Sequence, residues 1–71
     1  MEVDMEECSQ VYAAALVYMR DVVYSWGVRQ GFAEMRAEMR ADSSGYSPFA
    51  QQMRRAAWCD ALIEAIQERS I

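Results

Sequence analysis

Cys8 and Cys59, three sets of carboxylates and one polar run near the last third of the chain are the residues whose types and spacing bear on chemistry. A cysteine nucleophile needs a base to take its proton, and the 71-residue sequence contains no histidine. The same lack removes the commonest metal ligand, and neither cysteine belongs to a CxxC pair. The carboxylates Glu6/Glu7, Glu34/Glu38 and Asp60/Glu64/Glu68 lack the Glu-x-x-His element that helical bundles use to hold metal. At helical spacing they read as solvated faces. The chain therefore reads as non-enzymatic, with no catalytic, cofactor or metal residues. Its cysteines read as reduced small hydrophobes on core faces, with a Cys8–Cys59 disulfide as the minor alternative.

The polar run is Ser47, Gln51, Gln52, Arg54 and Arg55. Glutamine and arginine read base edges and serine or arginine holds phosphate, so these types suit the start of a recognition helix. Net charge opposes that use: eleven acidic residues face seven arginines, giving −4. A polyanion is repelled by such a chain as a whole, and an anionic membrane surface likewise. The loop before the run is also longer than a helix-turn-helix allows. The alternative is that Gln51, Gln52 and Arg54 form the wet side of a helix while Arg55 pairs with Glu34. A DNA-binding regulator thus stands second among the functional readings.

Helices must position all of these groups. Met5, Cys8, Tyr12, Ala15, Met19, Val22 and Trp26 recur at steps of three and four, which keeps them on one side of an α-helix. Asp4 suits the N-cap and Gly27 the C-terminal stop, predicting helix 1 over about residues 4–25. A second row of Val11, Tyr18 and the shared Val22 predicts more than one neighbour for it. Helix 2 is expected over about 29–41, with Val28, Phe32, Met35 and Met39 as its apolar side. Its tandem Ala-Glu-Met-Arg units give an acidic edge, Glu34 and Glu38, and a basic edge, Arg36 and Arg40. Asp42–Tyr46 reads as a loop, and Ser47-Pro48 as the cap and first position of helix 3, over about 48–68. Phe49, Met53, Ala56, Cys59, Ile63 and Ile66 form its expected apolar side, with Trp58 and Leu62 on a flank.

One all-α domain over residues 1–71 follows, a small three-helix bundle or pair of helical hairpins. Antiparallel pairing of helices 2 and 3 sets Glu34 by Arg55 and Arg29 by Asp60. Pairing of helices 1 and 2 sets Phe32 by Val23 and exhausts helix 2 near Ala14. Met5, Cys8, Val11 and Tyr12 then lack a cover within the chain unless helix 3 reaches them. Leaving such side chains wet forfeits about 1.5–3 kcal/mol each, a large share of a small domain's stability. A homodimer completing the bundle is the expected remedy, since 54% of the residues are hydrophobic.

The functional expectation is a small regulatory or adaptor protein that binds, and in one form inhibits, another protein. Met5, Cys8, Val11, Tyr12, Tyr18, Tyr24 and Trp58 are its expected interface, aromatic and sulfur-bearing types that interfaces favour. A purely structural homo-oligomeric subunit is the third reading. The acidic start is opposite to a signal peptide's basic region and the apolar stretch is interrupted by charges, so a cytoplasmic location is expected, with no membrane partner. Arginine- and alanine-rich, lysine-free usage suggests a bacterial or phage gene.

Overall fold

A computed structural model describes residues 5–69, apart from the side chains of Met5 and Asp42, as three helices and no strand. They are α1 (Met5–Trp26), α2 (Val28–Ser43) and α3 (Pro48–Arg69). The Asp4 cap lies outside the described residues. Gly27 ends α1 with φ 100° and ψ 173°, a backbone region open in practice to glycine alone. It also caps α2, accepting the Gly31 amide at 3.0 Å. Ser47 Oγ accepts the Ala50 amide at 3.3 Å, so Ser47-Pro48 does start α3.

The chain runs up, down and up, so α1 and α3 are parallel. Arg54 of α3 meets Glu7 near the start of α1, while Arg20 meets Glu64 and Glu68. At the far end Arg69 donates to the Val23 carbonyl. α3 therefore lies along the whole of α1, including its N-terminal half. Cys8, Val11 and Tyr12 are half-buried as a result. The expectation that they lack a cover arose from counting helix 1 against helix 2 alone.

Alanines make that close approach work. Ala50, Ala57, Ala61 and Ala65 are buried on α3 and Ala15 is buried on α1, where short side chains let the backbones near one another. Leu16, Met19, Val22, Val23, Met35, Trp58 and Leu62 fill the space left beside them. The buried face of α3 is thus rotated from the one expected. Phe49, Ala56 and Ile63 are exposed, and Met53, Cys59 and Ile66 only half-buried.

α2 is the short member. Its 16 residues against 22 in each of the others give about 24 Å of helix against about 33 Å. Gly31 lies inside α2 and not at its start. A Cβ there would stand 3.1 Å from Val23 Cγ2 and 3.2 Å from Leu62 Cδ1, so Gly31 is the point where all three helices touch. Gly31 opposes Val23, where Phe32 was expected, and Phe32 is left partly exposed. The acidic edge of α2 faces α1: Glu34 accepts from Tyr18, in place of the expected pairing with Arg55.

Candidate protein-binding groove

The difference in helix length opens a concavity of about 710 Å³. Val11 and Ala14 of α1 and Trp58 of α3 line it, with Glu6, Glu7 and Gln10 from the first turns of α1 and Tyr46 and Arg54 opposite. Among the described residues none of α2 contributes. The helix that covers α1 further along has ended before it reaches this place, as the sequence spacing anticipates.

Trp58 anchors the groove. Its ring stands edge-on to Tyr18, with centroids 5.9 Å apart and planes at 86°, a favoured aromatic geometry. Its indole nitrogen is buried yet has no hydrogen-bond acceptor. Buried indole N–H groups usually find one, and desolvating a donor without compensation costs about 1–3 kcal/mol. One wall is a charged stack. Arg54, 5% exposed, donates from Nη1 to Glu7 Oε2 at 2.6 Å and lies over the Tyr46 ring at 4.2 Å.

Behind Trp58, the Tyr18 hydroxyl donates to Glu34 Oε2 at 3.2 Å. Burial pushes the phenol pKa above its ordinary value, and the Glu34 hydrogen bond and the charges of Glu34 and Glu38 push the same way. The native state then holds this proton more tightly than the unfolded chain. Its stabilising contribution is complete below the unfolded value of 10.0 and is lost as pH rises through the higher native one. Tyr18→Phe is expected to cost about 1 kcal/mol near neutrality. It should also flatten the alkaline decline in urea midpoint expected of the parent protein.

The seven residues expected to form the interface do not share one surface. Val11 and Trp58 line the groove, and Tyr18 supports it from within. Cys8 and Tyr12 line a smaller cleft of about 260 Å³ across the α1–α3 seam, with Met53, Ala57 and Asp60. Tyr24 is 82% exposed at the opposite end of α1, beside Arg20, Glu68 and Arg69. The Met5 side chain lies outside the described residues. Gln10 joins the groove without a sequence signal, because only the arrangement of α1 and α3 sets it beside Trp58 and Arg54. Trp26, expected in the seam, is instead 74% exposed past the end of the packed region.

The polar run is divided too. Arg54 is internal, not on the wet side of α3. Gln51 donates to the Tyr46 carbonyl at 2.7 Å, bracing the loop. Ser47 caps α3, and Gln52 and Arg55 are exposed. Cys8 and Cys59 are half-buried thiols with no disulfide between them. Among the described residues no three Cys, Asp or Glu side chains converge as a metal site, and no helix is long and apolar enough to cross a membrane. The chain matches no protein-family model, no curated protein and no solved structure.

Proposed function

We propose that this protein is a small helical binding module, regulatory or adaptor in role, that receives part of another protein in the groove beside Trp58. The observation that carries the reading is a buried indole N–H without an acceptor at a cavity that α2 leaves open. A partner that lays an apolar side chain on Val11 and Ala14 fills the cavity, and a carbonyl reaching Trp58 after a turn of its ring satisfies the indole. Arginine or lysine flanking that apolar anchor would suit the chain's net charge of −4. Recognition of this kind concentrates its energy in a few desolvated aromatic contacts.

A second copy of this chain is the form of partner that the sequence suggests, completing the bundle as a homodimer. α3 already covers much of the seam on which that expectation rests. On this reading self-association would use the same groove.

Val11→Arg sets a charged side chain on the groove, whereas Tyr12→Arg does the same in the cleft across the seam. Light scattering over a concentration series and affinity capture should both respond to Val11→Arg, with binding lowered by about 30-fold or more, as for a central anchor. Tyr12→Arg should leave binding within about threefold of the parent. Circular dichroism on each variant shows whether the helices persist. Binding that survives Val11→Arg in a folded protein would remove the groove from the function.

A further inference from the structure

We propose that the opposite face of the α2–α3 corner is a binding site for a phosphate dianion, formed by Arg36, Arg40 and Arg55 with Ser43 and Gln51. These residues line one cavity of about 320 Å³ that is separate from the groove beside Trp58. The tandem Ala-Glu-Met-Arg units place Arg36 and Arg40 one helical turn apart, and α3 brings Arg55 to the same cavity.

Three guanidinium groups share this space in a chain whose charge is −4. Among the described residues none of the three forms an ion pair; the carboxylates that are paired meet Arg20 and Arg54 instead. Like charges one turn apart on a helix repel, so the arrangement is unfavourable unless an anion joins it. Arginine cannot relieve the repulsion by losing its proton.

A second, independent observation points the same way. Ser43 lines the cavity and is 5% exposed, and its hydroxyl is buried with no hydrogen-bond partner. A helical serine ordinarily bonds back to a carbonyl of the preceding turn. A phosphate oxygen would accept that hydroxyl proton while the other oxygens take forked N–H pairs from the arginines. The Gln51 side chain is already fixed by its bond to the Tyr46 carbonyl, so that part of the cavity is formed in advance. A small phosphorylated metabolite and a phosphoserine of another protein offer the same group.

The test is a nitrogen-15 NMR titration of the full chain with pyrophosphate, with N-acetyl-phosphoserine amide and with a short DNA duplex, all at one ionic strength. Saturable shifts at Ser43, Gln51 and the Nε groups of Arg36, Arg40 and Arg55 are expected with pyrophosphate or phosphoserine. Tighter binding of pyrophosphate points to a metabolite, and of phosphoserine to a modified protein. Arg40→Gln should weaken the better ligand by about 10-fold and Ser43→Ala by about threefold, whereas Arg29→Gln should change nothing. Shifts that never saturate, that spread equally to Arg20 and Arg29, or that persist in Arg40→Gln would overturn the site. Tighter binding of the duplex, lost in Gln52→Ala, would also overturn it in favour of a nucleic-acid face.

Discussion

Leu62→Ala should lower the unfolding free energy by about 2–5 kcal/mol, a large share of the stability of a domain of this size. Leu62 is 2% exposed and is among the largest fully buried side chains, together with Met19 and Val23. On α2 it is faced by Gly31, which has no side chain to move into the space left behind. Chemical denaturation followed by circular dichroism measures the loss.

Gly31 makes the same prediction sharper. Alanine at position 31 gains about 1 kcal/mol of helix propensity over glycine. Its Cβ, however, meets Leu62 Cδ1 at 3.2 Å and Val23 Cγ2 at 3.1 Å, tight enough that both must give. With Leu62 already cut to alanine, the obstruction on α3 is gone, that of Val23 on α1 remains, and the new methyl fills part of the cavity. Gly31→Ala should therefore stabilise the Leu62→Ala protein by about 1 kcal/mol more than it stabilises the parent, a coupling typical of residues in contact. Additive effects would show that Gly31 is not the three-helix contact described here.

Helix existence and most helix ends were legible because each has a local cause, although α2 continues to Ser43, two residues into the stretch expected as a loop. Gly27 can take a positive φ that other residues resist, Ser47 offers a capping oxygen, and Pro48 begins a helix without needing an amide donor. The alternation of three and four also located the middle of the α1 seam, Ala15, Met19 and Val22. The face of α3 was misread for a physical reason. Large side chains mark an apolar stripe in a sequence, but helices in closest contact use small ones, and Ala50, Ala57, Ala61 and Ala65 score weakly as hydrophobes. Once α3 turns its alanines inward, Trp58 becomes central and Phe49 and Ile63 turn outward.

The groove was half legible. Counting residues along an α1–α2 hairpin ends α2 near Ala14, and Ala14 is indeed a groove residue beyond the reach of α2. Which side chains stand opposite could not be read, since α1 and α3 are parallel neighbours separated by an entire helix of chain. No turn fixes their register. It depends on the summed packing of Gly31, the alanine row and the charge contacts at each end.

One of those end contacts supports the second large effect. Glu7→Gln should destabilise the protein by about 2–3 kcal/mol, somewhat below the usual cost of breaking a buried pair because the Glu7 side chain keeps partial solvent contact. Its side chain is 34% exposed against 7% for Arg54, so the group that loses this ion pair is the buried one. Arg54→Met behaves differently. It removes that charge, leaves an apolar stem of similar length against Tyr46, and returns Glu7 to water. Its cost should stay within about 1 kcal/mol, since a buried ion pair is often replaced by packed apolar atoms without loss. The unequal response separates a pair that stabilises from one that merely must not be broken. If Arg54→Met proves the more damaging of the two in urea denaturation, the guanidinium holds α3 to the Tyr46 loop through its face as well as through Glu7. Arg54→Lys, which keeps the charge but not the flat face, would then fail to restore stability.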